Sequence, residues 1–79
     1  MKARVYVTLK KTVLDPQGKT ILQALASLGH KAVKDVRQGK IFEIELDRLS
    51  CTDAQKEIEQ IARDVLTNPV IEEFRYELE

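Results

Sequence analysis

The residue types in this chain that could perform chemistry are few, and their spacing is not typical of a catalytic site. His30 is the single histidine, and it could act as a general base only beside a group whose proton it removes. No recognisable motif connects a serine or cysteine nucleophile to it. Cys51 stands near the start of a helical segment, where a thiolate is favoured, but it also lacks a recognisable partner. We interpret His30 as a surface loop residue and Cys51 as an unreactive residue.

The acidic residues and glycines likewise do not indicate a metal, nucleotide or cofactor site. The carboxylates that could form a metal site or an acid–base pair have the spacing of a solvated surface: Glu57, Glu59, Asp64, Glu72 and Glu73. No GxGxxG or Walker pattern surrounds a glycine, and no Cys/His metal spacing is present. Lys10, Lys11 and Lys19 could attract an anion to a helix N-terminus, but Asp15 at that position opposes one. We expect no catalytic residue, no metal and no cofactor.

Alternating apolar residues predict the strands that would position these groups. The alternation covers residues 2–10 and 40–47, and it returns at 74–78, as is typical of half-buried strands. Val33 and Val36 mark a further short strand. Gln38-Gly39, which follows it, suits a two-residue hairpin turn because glycine tolerates positive φ.

Capping residues and helical spacing predict two helices. Asp15 suits the N-cap of the first helix, about residues 17–29, with Pro16 at the first helical position and Gly29 as the C-terminal cap. Ser50-Cys51-Thr52-Asp53 opens the second helix, where Thr52 and Gln55 have capping-box spacing. Asn68-Pro69 ends it, since a residue before proline avoids the helical region.

The order β-α-β-β-α-β predicts one α+β domain over residues 1–79. It is a two-layer sandwich of ferredoxin-like order, with an antiparallel sheet and both helices on one face. The first strand would lie between the third and fourth, so that Arg4 could face Glu43, Glu45 or Glu77. The open sheet face would carry Tyr6, Thr8, Ile41 and Val70 or Ile71. Such residues suit contact with a second copy of the chain.

Composition limits the classes of partner. Residues 1–40 contain nine basic side chains and two acidic ones, whereas 41–79 contain four basic and eleven acidic ones. Because both halves are rich in core residues, we interpret them as neutralising each other within one fold and expect no nucleic-acid partner. The N-terminus lacks the apolar region of a signal peptide, and no segment approaches a membrane span. The unpaired cysteine suits the cytoplasm.

Three segments carry a family resemblance: Val13-Leu14-Asp15-Pro16-Gln17-Gly18, Val36-Arg37-Gln38-Gly39-Lys40 and Asn68-Pro69-Val70-Ile71-Glu72. Together with the first strand, their order and spacing resemble the PurS family, the small subunit of bacterial and archaeal phosphoribosylformylglycinamidine (FGAM) synthase. The resemblance implies a non-catalytic subunit. It would act as a homodimer, which could pair into a dimer of dimers. The dimer would bridge a glutaminase subunit and a large synthetase subunit and assist ammonia transfer in purine biosynthesis.

We expect the loops of these segments to contact the partner subunits. The candidate interface residues are Asp15, Pro16, Gln17, Gly18, Arg37, Gly39, Lys40, Asn68 and Pro69. Arg37 could bind a partner carboxylate in a fork, while several of the others also have local roles in caps and turns.

Two other classes remain open from the residues alone. A small-ligand regulatory domain can have the same topology. An RNA-binding module needs exposed aromatic residues on its central strands, and the strand at 39–45 instead carries glutamates that would repel phosphate.

Overall fold

The computed structural model describes residues 1–47 and 50–79. Its elements, in chain order, are β1 (Lys2–Leu9), α1 (Pro16–Ser27), β2 (Gly39–Glu45), α2 (Cys51–Ile61) and β3 (Glu72–Leu78), and a π-helical turn at Ala62–Leu66 extends α2. Among the described residues, no helix has the length and apolar character needed to cross a membrane.

The three strands form one antiparallel sheet in the order β2-β1-β3. The prediction that the first strand is central is therefore confirmed. Arg4 lies opposite Glu43 on β2 and Glu77 on β3, so the predicted cross-strand charge pairing is present. The Arg4 guanidinium also bonds to the Glu79 carboxylate, and Lys2 Nζ lies 3.1 Å from Glu43 Oε2. These exposed pairs contribute little stability individually.

The hydrophobic core lies between one sheet face and α2. Ala3, Val5 and Val7 from β1 meet Ile58 and Ala62 from α2 and its π-helical turn, and all five side chains are at most 1% exposed. Half-buried side chains surround them: Phe42, Ile44, Leu46, Leu66, Phe74, Tyr76 and Leu78. Burial of a side chain such as Ile58 stabilises the fold by roughly 1.5–3 kcal/mol.

Helix α1 contributes no side chain to this core. Gly18 is its one buried residue, whereas Ile21 and Leu28 on its apolar stripe are exposed. The protomer measures 49 × 25 × 14 Å, and its radius of gyration is 16.0 Å. A compact chain of this length would have a radius of gyration of about 12 Å. The helix therefore extends beyond the sheet.

The short strand predicted around Val33 and Val36 is not formed within the protomer. Residues 33–38 have no regular secondary structure, and Gly39 begins β2 opposite Thr8 instead of forming a hairpin turn with Gln38. Gly39 does not have a positive φ; Gly29, at the end of α1, has φ 95° and caps that helix as predicted. The physical reason is that the N-terminal end of α1 binds residues 36–38, as described below.

Two smaller predictions also need correction. The N-cap of α2 is Ser50, whose Oγ accepts from the Asp53 N–H at 3.1 Å, so Thr52 lies inside the helix and is not its cap. Val70 and Ile71 lie in the turn before β3 and not on the open sheet face. That turn is closed by hydrogen bonds to the Asn68 carbonyl oxygen from the Ile71 and Glu72 N–H groups.

Candidate functional site

The three sequence segments meet at one end of the sheet. Because β2 and β3 are both antiparallel to β1, their first residues lie beside the end of β1, with Thr8 opposite Gly39 and Leu9 opposite Glu72. Helix α1 begins at the same end, since its N-cap Asp15 bonds to Gln38. We call this region the junction and define it as residues 10–18, 36–40 and 68–72. It contains all nine candidate interface residues.

Asp15 connects two of the segments through its carboxylate. Its Oδ1 accepts from the Gly18 N–H at 3.0 Å, which caps α1, and its Oδ2 accepts from the Gln38 N–H at 2.7 Å. The side chain is 4% exposed. The N–H of Gln38, then that of Gly18, lower the pKa of Asp15 below its usual value, and the nearby Arg37 guanidinium adds to the shift. Asp15 is therefore a charged, fully engaged structural group.

Arg37 stabilises the same region by binding the turn that precedes α1. Its Nη2 donates to the carbonyl oxygens of Lys10 and Val13, at 2.9 Å each. These two carbonyls belong to the turn between β1 and α1, where the Val13 N–H also donates to Lys10 O at 2.9 Å. The guanidinium is thus engaged within the protomer, although the side chain lies at the surface.

Two glycines allow close backbone approaches in the junction. A Cβ at Gly18 would lie 2.1 Å from the carbonyl oxygen of Val36, so a larger residue would push the start of α1 away from that segment. A Cβ at Gly39 would lie 2.6 Å from the carbonyl oxygen of Val7 in the neighbouring strand. Both positions therefore serve the packing of the backbone.

Asn68 and Pro69 complete the junction through local contacts. The Asn68 N–H donates to Glu72 Oε1 at 2.8 Å, and Asn68 Oδ1 accepts from the Val70 N–H at 3.1 Å. Lys10 Nζ donates to Pro69 O at 2.8 Å, which ties this turn to the end of β1. Sequence reasoning did not assign Lys10 this role, because an exposed lysine after a strand has no distinctive local signal.

The remaining surface of the junction is a shallow cleft with polar groups. Its volume is about 240 Å³, and its lining comes from the end of β1 and from all three segments: Val7, Leu9, Asp15, Gln17, Gln38, Gly39, Lys40 and Glu72. Lys40 Nζ lies 3.8 Å from Glu72 Oε2. Pro16, Gln17, Lys40, Asn68 and Pro69 are exposed. These five of the nine candidates present side chains that a partner protein could contact.

The side chains considered for catalysis are not brought together. His30 and Cys51 are both exposed, and the part of the chain that the structure describes contains no cluster of three or more His, Cys, Asp or Glu that could hold a metal ion. Glu59 Oε1 instead accepts from the Tyr76 hydroxyl at 2.8 Å, which raises the pKa of Tyr76 above its usual value. The described carboxylates therefore act in structural contacts or lie on the surface.

The open sheet face is also unlike an RNA-binding platform. Tyr6 is the aromatic residue that the strands place on this face, and the Arg75 guanidinium lies 4.0 Å from the centre of its ring. The Tyr6 hydroxyl donates to Glu77 Oε2 at 3.4 Å. One ring face is therefore covered, and acidic residues stand beside it where nucleic acid phosphates would have to lie.

A second unusual surface is the apolar stripe of α1. Ile21 is 40% and Leu28 75% exposed, and Leu22 and Leu25 between them are half-buried. The residues around this stripe are mainly basic, with Lys19, Lys31 and Lys34 against Asp35. The three strands and α2 together carry eight acidic and five basic side chains.

These features define a class of protein: a small α+β sandwich with a rigid loop junction and a projecting amphipathic helix, whose special surfaces suit protein contacts. Comparisons with known proteins identify the family. Residues 2–79 match the family model PurS, described as phosphoribosylformylglycinamidine (FGAM) synthase. The chain belongs to the PurS family.

Curated relatives agree along almost the whole chain. It is 42% identical over 78 residues to the phosphoribosylformylglycinamidine synthase subunit PurS of Bacillus subtilis, covering 99% of this chain and 92% of the relative. It is 47% identical over 73 residues to the subunit of the same name from Mycobacterium leprae, covering 92% of this chain and 89% of the relative.

Solved structures share the fold. Bacillus subtilis PurS has a TM-score of 0.87 at 41% identity, covering 99% of this chain and 96% of that one. Methanocaldococcus jannaschii PurS has a TM-score of 0.87 at 37% identity, covering 99% of this chain and 94% of that one. It is described as one of the subunits of formylglycinamide ribonucleotide amidotransferase in the purine biosynthetic pathway. A chain in the structure of PurLQS from Thermotoga maritima has a TM-score of 0.87 at 29% identity, covering 96% of this chain and 93% of that one.

Proposed function

We propose that this chain is the non-catalytic small subunit of FGAM synthase and acts in de novo purine biosynthesis. The observation that carries the proposal is the full-length match to PurS subunits, one of them in the structure of PurLQS. In this role the chain bridges a glutaminase subunit, which releases ammonia from glutamine, and a large synthetase subunit. The synthetase uses ATP to convert formylglycinamide ribonucleotide to formylglycinamidine ribonucleotide. We place this activity in the cytoplasm.

The junction supports a bridging role because it combines rigidity with exposed loops. Asp15, Arg37 and Lys10 bind backbone groups and hold the three segments in one arrangement. A rigid surface loses little conformational entropy when a partner binds to it. Pro16, Gln17, Lys40, Asn68 and Pro69 are the residues that we assign to contacts with the other subunits. Through these contacts the chain would hold the glutaminase against the synthetase, so that ammonia passes between them.

The projecting helix α1 supports a homodimer as the working form. Its exposed Ile21 and the neighbouring Leu28 would be covered by the sheet and α2 of a second copy, and Lys19, Lys31 and Lys34 would face acidic residues there. A two-fold axis would repeat the contact in reverse, so that each protomer supplies its helix α1 to the other. The apolar area buried in this way would add to the small core of each protomer. The stability of a single protomer is marginal at this chain length.

The experiment compares two nitrogen sources in the reconstituted synthase. With the glutaminase and synthetase subunits present, we expect glutamine-dependent synthesis to require this chain. Synthesis from added ammonium should proceed without it, because the synthetase then receives ammonia directly. Equal glutamine-dependent rates with and without the chain would reject the bridging role. The mass of the complex formed with glutamine and nucleotide measures how many copies of the chain it contains.

A further inference from the structure

Residues 16–36 form an arm whose hydrogen bonds to the rest of the described chain lie at its base, where the N–H groups of Gly18 and Lys19 donate to Asp15. The arm consists of α1 and the segment that returns from it; the turn between them is closed by the His30 N–H, which donates to Leu25 O at 2.9 Å. At the base of the arm, Gly18 meets the carbonyl oxygen of Val36. The orientation of the whole arm therefore depends on contacts near residues 15–18 and 36–38.

Charged side chains close the base of the arm. Each of them binds backbone groups of the other segment, the one before the arm or the one after it. Asp15 Oδ2 accepts from the Gln38 N–H at 2.7 Å, and Arg37 Nη2 donates to Lys10 O and Val13 O at 2.9 Å. Such charge-assisted hydrogen bonds are about twice as strong as neutral ones. They constrain residues 37 and 38, which would have to rotate for the arm to change direction.

The sequence is compatible with another arrangement of the same arm. If Gln38-Gly39 formed a hairpin turn, residues 33–36 would pair with the outer edge of β2, which is free in the protomer. Helix α1 would then lie against its own sheet and complete the four-stranded sandwich expected from the β-α-β-β-α-β order. In that turn, the Gln38 N–H would leave Asp15 and Gly39 would leave its pairing with Thr8.

We infer that Asp15, Gly18, Arg37 and Gln38 form a latch that keeps the arm extended, so that α1 is presented to a second copy instead of its own sheet. This inference rests on the homodimer put forward above, because the extended arm needs an acceptor. The latch acts on the choice between two packings of the same residues. A difference of a few kcal/mol between such packings is sufficient to decide which one is populated.

The main test combines Asp15→Asn with Gln38→Asn. Asparagine at position 15 can still cap α1 through its carbonyl oxygen, but its amide nitrogen cannot accept from the residue 38 N–H. Asparagine at position 38 precedes Gly39 and favours the two-residue hairpin turn. Asp35→Asn is the matched control, because Asp35 lies on the arm and accepts from the Val36 N–H outside the latch.

Two measurements are made on each protein. The first is the dimer dissociation constant from sedimentation equilibrium. The second is the distance between spin labels on the native Cys51 and on a cysteine replacing Gln23, which is exposed on α1. The labelled chain is diluted into an excess of unlabelled chain, so that only distances within one protomer are observed.

We expect the double variant to show a new, shorter label distance and a dissociation constant raised about tenfold or more. The Asp35→Asn control should keep the long distance and the original constant. Gly18→Ala provides a second route to the same result, since its Cβ displaces Val36 while alanine favours the helix. The Gly18→Ala variant tests the latch by itself if the double variant does not fold.

The outcomes separate the two proposals. A wild-type chain that is monomeric with a long label distance rejects the homodimer and the presentation of α1 to a second copy, while the extended arm itself stands. A short label distance in the wild-type chain overturns the latch. So does a dimeric wild-type chain whose folded latch variants retain the long distance and the original dissociation constant.

Discussion

The carboxylate of Asp15 accepts a 2.7 Å hydrogen bond from the backbone N–H of Gln38, 23 residues further along the chain. This single contact links the start of α1 to the start of β2. It also explains why an acidic residue is suitable there, since the same carboxylate caps α1 through Gly18. The contact has consequences for pH dependence, for which Asp15→Asn is the direct probe.

Acid should destabilise the wild-type chain more than the Asp15→Asn variant. The folded-state pKa of Asp15 lies below its usual value, because the charged form accepts hydrogen bonds from the N–H groups of Gln38 and Gly18. A lowered folded-state pKa stabilises the fold above the unfolded-state pKa, and this contribution is lost as pH falls through the lower value. The urea midpoint, measured between pH 7 and pH 2.5, should therefore fall further in the wild type.

The control for this experiment is Asp35→Asn, which also removes one carboxylate but leaves the bond to Gln38 intact. It should reproduce the wild-type dependence on pH. If Asp15→Asn lost as much stability in acid as the wild type does, the hydrogen bonds of Asp15 would not contribute to folding in solution.

Truncation of the core should be costly, because Ile58 is fully buried between α2 and β1. Ile58→Ala should lower the free energy of unfolding by about 2–5 kcal/mol through lost burial and the cavity left behind. Val65→Ala is the matched control, since Val65 is 75% exposed and its truncation should change stability by less than about 0.5 kcal/mol. Urea unfolding of both variants measures the difference, and similar losses would contradict the assigned core.

Polar substitution on the arm should weaken self-association without unfolding the protomer. Leu25→Gln with Leu28→Gln removes two apolar contacts from α1 while keeping good helix formers, so far-UV circular dichroism should change little. The dimer dissociation constant should rise at least about tenfold, because each apolar side chain that a partner buries contributes on the order of 1–2 kcal/mol. It should also rise with salt, which screens the attraction between the lysines of the arm and the acidic residues on the sheet and α2 of the second copy.

Gln23→Ala tests whether this effect is specific to the apolar stripe, since Gln23 lies on the opposite side of α1. This variant should dimerise like the wild type. If the two-leucine variant kept the same dissociation constant as Gln23→Ala, another surface would have to hold the two copies together.

Charge reversal at the junction should affect the other subunits and leave the homodimer unchanged. Lys40→Glu places a like charge beside Glu72 on the surface that we assign to these contacts. Glutamine-dependent synthesis at limiting concentrations of the chain should fall about tenfold, as expected for one or two exposed charge contacts. Synthesis from added ammonium measures whether the synthetase itself is affected.

Lys56→Glu reverses the same charge on the exposed side of α2, away from the junction. Its glutamine-dependent rate should match that of the wild type. Equal losses in the two variants would mean that overall charge, and not the junction, controls assembly.

Three of the four predicted strands, both helices and the caps of α1 could be predicted from the sequence because their signals are local. Val5 and Val7 alternate with polar residues along β1, Asp15-Pro16 begins α1 and Gly29 ends it, and each of these signals acts over a few residues. The central position of β1 could also be predicted, since the order of elements restricts the sheet to few arrangements. The interface candidates were found through the same loops, and all of them lie in the junction.

Only the tertiary structure decided how the arm is placed and which candidates are engaged within the chain. The Asp15–Gln38 bond, the approach of Gly18 to Val36 and the binding of Arg37 to Lys10 and Val13 join residues that are distant in sequence. Gln38-Gly39 has the local character of a hairpin turn, yet these contacts hold it in an extended path. The local preference of Gln38-Gly39 for a turn is overridden, because several hydrogen bonds and a close backbone contact together stabilise the extended path more than a single turn would stabilise the hairpin.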